Sequence, residues 1–171
     1  SDVCSSDLCQ TSSACNGDGT CDFTGQPDGT GCWLPDVCFA ACLSGFCQLT
    51  GPGGMWGEGT LESPFLITNC DQLQAMGQGP SCSYRLANDI DCSATSAWND
   101  GAGFVPVGNP VQFTGDFDGA GHVIFDLTID RPGSNNMALF GMSGGEIHDV
   151  GLVNPTITAQ HYSGALVGWQ S

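Results

Sequence analysis

The sequence predicts an all-β protein: a small disulfide-rich, loop-dominated head over residues 1–50, a Gly/Pro linker over 51–58, and a right-handed parallel β-solenoid over 59–171. Three observations lead there. Eight of the 11 cysteines fall before residue 50. From Gly59 onward, short β-prone runs alternate with Gly, Asn and Asp turns. Segments of the last third repeat at spacings in the twenties.

The head comes first. Cys4, Cys9, Cys15, Cys21, Cys32, Cys38, Cys42 and Cys47 stand among few large apolar side chains. A segment of that composition cannot bury an adequate core, so covalent closure must replace it. Its local signals are turns: Asn16-Gly17-Asp18-Gly19, Pro27-Asp28-Gly29 and Ser44-Gly45. Structural zinc is the competing explanation, but the head has no C-x2-C pair and no His. Disulfides persist in oxidising compartments, so the expected location is secreted, at the cell surface. Gly51-Pro52-Gly53-Gly54 reads as a linker or sharp corner.

Strands are expected at Phe65–Thr68, Tyr84–Leu86, Phe104–Val107, Val111–Phe113, His122–Ile129, Met137–Phe140, Thr156–Thr158 and Gly164–Val167. Asp71–Met76 alone looks helical, with Asn69 or Asp71 as N-cap and Gly77 as terminator. Ala138-Leu139-Phe140-Gly141 recurs as Ala165-Leu166-Val167-Gly168, 27 positions on. Leu127-Thr128-Ile129 recurs as Pro155-Thr156-Ile157, 28 on, and Ile124–Leu127 resembles Ile147–Val150, 23 on. A period of that length suits solenoid coils, about four of them over residues 61–171.

Charge narrows the partners. The formal net charge is −16, split as −6 over residues 1–50 and −10 over the rest, with Arg85 and Arg131 the only Lys or Arg. Phosphate binding needs basic side chains, so nucleic acid is excluded as a partner. No stretch approaches the length of a membrane-spanning helix, so no membrane insertion is expected. The chain begins Ser1-Asp2-Val3-Cys4, as a mature form does after signal cleavage.

From Gly59 onward the chain resembles the bacterial surface repeats named for their Gly-Leu-x-Gly (GLUG) motif. The residues that carry the resemblance are Gly59-Thr60 with Pro64-Phe65, Tyr84–Ser93, Gly103–Gly108 and Phe113–Gly119. Gly121–Ile124 and Leu139-Phe140-Gly141 then lead to Gly164–Gly168, with Ala138 and Ala165 departing from the motif. Members of that family are parts of large secreted or surface-attached proteins without shared catalytic residues. The head is similar to the cysteine repeats of secreted myxobacterial proteins, through Cys9-x5-Cys15-x5-Cys21, Pro27–Cys32, Asp36-Val37-Cys38-x3-Cys42 and Ser44–Cys47. The GLUG resemblance implies a Cys70–Cys92 bridge across adjacent coils. Spacing alone leaves Cys70–Cys82, a bridge to the head, and an unpaired or intermolecular Cys82 open.

Candidate sites are few. Asp116 and Asp118 lie on one side of a strand with Phe113, Gly115 and Phe117 on the other. Paired carboxylates suit glycoside cleavage, but no second acidic cluster or basic residue completes a site in the sequence. No enzyme and no resident cofactor are therefore expected. Asn16, Asp18 and Asp22, and separately Asn88, Asp89 and Asp91, are candidate calcium ligands, or else turn-forming residues. His122, His148 and His161 keep no common phase and read as isolated surface histidines. Trp33, Trp56, Trp98, Trp169, Tyr84 and Tyr162 are candidates for stacking on sugars.

The run Ala165-Leu166-Val167 with Trp169 follows a repeat core and carries no polar capping segment. A bare coil leaves unpaired backbone and apolar surface. The functional expectation is therefore an extracellular structural protein that assembles with itself head to tail, or with other surface components. An adhesion or carbohydrate-binding module of a larger protein is the alternative, and a polysaccharide-active β-helix enzyme the third.

Overall fold

A computed structural model describes residues 51–171 and, before them, the backbones of five short strands. In the head, expected to be loop-dominated, β1 (Gln10–Cys15) pairs antiparallel with β2 (Cys21–Gly25). There β3 (Gly31–Cys32), β4 (Ala40–Leu43) and β5 (Phe46–Gln48) form an antiparallel sheet with Cys42 opposite Cys47. The side chains of the eight head cysteines, the calcium candidates Asn16, Asp18 and Asp22, and Trp33 lie outside the described residues.

The regular elements of the body are mostly strands. Its elements are β6 (Phe65–Ile67), α1 (Cys70–Ala75), β7 (Ser83–Leu86), β8 (Ile90–Asp91), β9 (Asp116–Asp118), β10 (Val123–Phe125) and β11 (Thr128–Asp130). They are followed by β12 (Phe140–Ser143), β13 (Glu146–His148), β14 (Gly151–Val153), β15 (Thr156–Thr158) and β16 (Val167–Gln170). All pairings between these strands are parallel, in the orders β13-β9-β7-β6, β14-β10-β8, β11-β15 and β12-β16.

Register explains the repeats. Thr128 pairs with Thr156 and Phe140 with Val167, the 28- and 27-residue spacings legible in the sequence. The 23-residue likeness is not a pairing. Ile124 sits opposite Leu152, and Ile147 opposite Phe117. What those two stretches share is a corner: Asp126 and Asp149 both turn the chain at φ 53°. Asp and Asn tolerate this left-handed conformation better than most side chains. Asp126 also divides the expected His122–Ile129 strand into β10 and β11.

Two further strands, expected at Met137–Phe140 and Gly164–Val167, begin only at the last residue of each stretch, as β12 and β16, and two others did not form. Phe104–Val107 and Val111–Phe113 contribute isolated bridges only, Val107 to Phe140 and Phe113 to Ser143. Pro106 lies inside the first stretch and Pro110 immediately before the second, and proline cannot donate to a ladder. Their apolar residues Phe104, Val107 and Phe113 are nonetheless fully buried.

The helix is capped as the sequence suggests: the Asn69 side chain accepts from the Gln72 N–H at 2.9 Å. In return the Gln72 Oε1 accepts from the Thr68 N–H at 2.8 Å, which satisfies two donors at one helix entrance. Gly77 does not end it. A 3-10 turn over Met76–Gln78 continues past α1.

Inward positions form one core. Its rings run in sequence from Phe65 to Tyr84 (5.7 Å between centroids), Phe113 (6.4 Å) and Phe140 (5.0 Å), with Phe117 edge-on to Phe140 at 5.1 Å. Each ring pair adds about 0.5–1.5 kcal/mol beyond its burial. Tyr84 is therefore a core residue and not a sugar platform; its hydroxyl donates to the Gly79 carbonyl at 2.8 Å. Burial pushes that phenol far above its ordinary pKa. The approach of successive layers demands glycine at two stacked positions. A Cβ on Gly115 would lie 1.9 Å from the Cys82 carbonyl oxygen, and one on Gly145 2.0 Å from that of Gly115.

Cys70 and Cys92 are disulfide-bonded, with Cα atoms 5.3 Å apart. A loop of that size, 22 residues, gives a bridge worth about 3 kcal/mol. Cys82 is also disulfide-bonded and fully buried. The expectation of an unpaired or intersubunit Cys82 is thereby corrected: a sulfur enclosed by the core has no path to another chain.

Candidate functional site

The outer face of the β13-β9-β7-β6 sheet carries the chemistry. Side chains alternate along each strand, so Tyr84, Phe117 and Ile147 point inward while their neighbours point out. In-register pairing then builds two outward rows: Ser83, Asp116 and Glu146, and beside it Arg85, Asp118 and His148.

The second row is bonded throughout. The Arg85 guanidinium reaches Asp118 Oδ2 through Nε at 2.7 Å and through its terminal nitrogen at 2.6 Å. Asp118 Oδ1 accepts from the Ala120 N–H at 2.7 Å, an Asx turn that shapes the corner after β9. His148 Nδ1 lies 3.6 Å from that same Oδ1 and 3.1 Å from Asp149 Oδ2. Its Nε2 lies 3.5 Å from Asp116 Oδ2. Asp118 is the enclosed member, its side chain 14% exposed against 52% for Arg85.

These contacts set the protonation states. Partial burial pushes the Asp118 carboxyl up, but the Ala120 N–H, the Arg85 guanidinium and His148 outweigh it and hold the group below the usual range. His148 moves the other way: its bond to Asp149 raises the imidazole pKa against a desolvation penalty, helped by the charges of Asp116 and Asp118. The row therefore carries alternating charge, positive at Arg85, negative at Asp118 and positive at His148 in mildly acidic solution.

Asp116 and Asp118 share one face as expected, with Phe117 behind them, but no basic partner stands near them in the sequence. Folding supplies two. Arg85 arrives from 33 residues upstream and His148 from 30 downstream, so His148 is not an isolated surface histidine. A constant 28-residue repeat would bring Glu146, not His148, opposite Asp118. The corner after β9 has four residues and that after β13 has two, which shifts the register.

The other candidates are used structurally. Asp89 Oδ1 accepts from the Val123 N–H and faces His122 Nδ1, both at 3.1 Å, and the first of these bonds leads in lowering its pKa. Asp91 Oδ1 accepts from the Ser93 N–H at 2.9 Å, the chief cause of its lowered pKa. Asn88 donates to the Thr68 and Asp89 carbonyls. Among the described residues, Asp118, His148 and Asp149 are the group of three His, Cys, Asp or Glu side chains whose donor atoms converge. Trp56, Tyr162 and Trp169 are exposed, and Trp98 packs against the core. No helix among the described residues is long and apolar enough to cross a membrane.

Fold and surface together define an acidic, disulfide-bonded stack of short parallel strands joined by Gly, Asp and Asn corners. The chain is 42% identical over 119 residues to a halomucin of Haloquadratum walsbyi, covering 66% of this chain and 1% of that protein. It is 34% identical over 117 residues to a Gly-rich membrane protein of Evansella cellulosilytica, covering 66% of this chain and 13% of the other. The chain thus spans only a small part of the curated relatives it matches. No family model matches, and no solved structure matches.

Proposed function

We infer that this chain is a structural segment of an extracellular surface protein, its body a β-solenoid of the GLUG-repeat kind. Its outermost layer receives a further layer of parallel strands. The observation that carries this reading is a gradient of burial between paired positions. Phe117, Ile124, Ile129 and Phe140 are fully buried, whereas their partners Ile147, Leu152, Ile157 and Val167 are half-buried. Ala138 and Leu139 are fully buried, while Ala165 is exposed and Leu166 half-buried. β13 to β16 each have one ladder partner among the described residues, which leaves an open edge on every one. Open edges with apolar flanks are templates for strand addition.

The opposite end differs at β6. The edge of β6 is taken by Trp56, whose carbonyl accepts from the Leu66 N–H at 2.7 Å, and Met55, Leu73 and Met76 are buried nearby. Head-to-tail joining of copies therefore needs the cysteine-rich head, not β6, as the receiving surface. A following repeat of the same type meets the open layer without that requirement, and the great length of the relatives favours it. Their names, a halomucin and a membrane protein, accord with the exterior location that the disulfides require.

Hydrogen exchange and sedimentation of the purified chain test this. The expected result is fast exchange of β13–β16 amides at low concentration, with protection gained as the protein associates or when further repeats are appended. A chain that stays monomeric with β13–β16 protected as strongly as β9–β12 would sink the reading. A second reading, an adhesion module that stacks on sugars, is favoured by the exposure of Trp56 at 83%; loss of glycan binding in Trp56→Ala without change in association is its signature.

A further inference from the structure

We propose that Asp118, His148 and Asp149 bind a divalent transition-metal ion of zinc's class at the corner between β13 and β14. The three donor atoms lie within 4.8 Å of one another. A tetrahedral ion with ligand bonds of about 2.0–2.2 Å holds its donors about 3.3–3.6 Å apart. His148 Nδ1 stands 3.1 Å from Asp149 Oδ2 and 3.6 Å from Asp118 Oδ1, which brackets that spacing. Small side-chain rotations suffice to seat the ion.

The surroundings have the form of a metal site's outer shell. Metal-bound histidines commonly direct the other ring nitrogen to a carboxylate, which fixes the tautomer and ring plane. Asp116 Oδ2 stands 3.5 Å from His148 Nε2, within a small rotation of that role. Asp118 is oriented before any ion arrives: Arg85 holds Oδ2 and the Ala120 N–H supports Oδ1, which still has a lone pair toward His148. Asp149 is brought back over its neighbour by its left-handed backbone. Each of the three comes from a position fixed by ladder or corner, so the ion would clamp β13 to β9.

Donor chemistry selects the ion class. One imidazole with two carboxylates suits zinc, cobalt or nickel, whereas calcium takes six to eight oxygens and no nitrogen. Three protein ligands leave a fourth position open to water or to a donor from another molecule. A metal-ligating imidazole nitrogen must be free of its proton, so binding weakens in acidic solution.

The test uses the oxidised full chain, stripped with chelator and titrated with zinc by calorimetry and with cobalt by visible absorption. One ion per chain is expected, together with a zinc-dependent rise in Tm. His148→Ala and Asp149→Asn should each weaken binding at least tenfold, while His122→Ala leaves it unchanged. Asn tolerates the left-handed corner, so Asp149→Asn keeps the fold, and circular dichroism checks both variants. No zinc heat at millimolar metal, or binding of equal strength in His148→Ala, overturns the proposal.

Discussion

Arg85 and Asp118 meet at 2.6 Å on the outer face of two adjacent parallel strands, 33 residues apart in the chain. The pair joins β7 to β9 across a segment that contains β8 and the two bridge-forming stretches. Because Arg85 is half exposed, the ion pair itself is worth only about 0.2–1 kcal/mol. Asp118 does more, since it also holds the Ala120 N–H. Asp118→Ala is expected to lower the denaturation free energy by about 1–2 kcal/mol, and Arg85→Ala by less than 1 kcal/mol. Equilibrium urea unfolding of both variants and the double mutant separates the two contributions.

The same row makes stability depend on pH in a defined window. Asp118 has a lowered folded pKa, so its contribution is present above the ordinary value of 3.8 and is lost as pH falls through the folded value. His148 has a raised folded pKa, so its contribution is full below 6.5 and is lost as pH rises through the folded value. Both contributions are complete between those two limits. The difference in urea midpoint between the protein and His148→Gln should be largest there and shrink toward pH 9, and an NMR titration of His148 should show a midpoint above 6.5.

The glycines at the layer contacts are not interchangeable with alanine. Gly115→Ala forces a Cβ onto the Cys82 carbonyl, and the backbone shift should cost about 1–3 kcal/mol or more. Gly133→Ala meets nothing within 4 Å and is expected to stay within about 0.5 kcal/mol of the parent. Thermal melts of the two variants side by side check the contrast.

The disulfide and the core gradient can be measured together. Replacing both Cys70 and Cys92 by Ser should remove about 3 kcal/mol. Ile129→Ala, in the buried layer, should cost about 2–5 kcal/mol; Ile157→Ala, at the paired half-buried position, should cost roughly half as much. Equal losses at Ile129 and Ile157 would mean that the outer layer is covered in solution.

Legibility followed the distance over which each interaction acts. Asn69 as a cap, the 27- and 28-residue ladders and the outward pair Asp116 and Asp118 were readable because each is a local or strictly periodic pattern. The Cys70–Cys92 bond was implied only through family resemblance. The strands expected at Phe104–Val107 and Val111–Phe113 failed because their prolines leave them as buried bridges. The 23-residue likeness misled because two corners with the same Asp chemistry lie in different ladders.

Sequence alone determined the composition-driven features: a cysteine-rich chain, a strongly acidic composition with two basic side chains, and a strand-and-turn body with inward apolar residues. These follow from side-chain chemistry and from the two-residue alternation of strands. Tertiary structure alone decided which outward residues meet. Arg85, Asp118, His148 and Asp149 come together because unequal corners shift the register of successive layers, and no fixed period in the sequence encodes that shift. It likewise decided that Cys82 is enclosed and that Ile147, Leu152, Ile157 and Val167 are less covered than their ladder partners, since burial is a property of what packs on a residue and not of the residue itself.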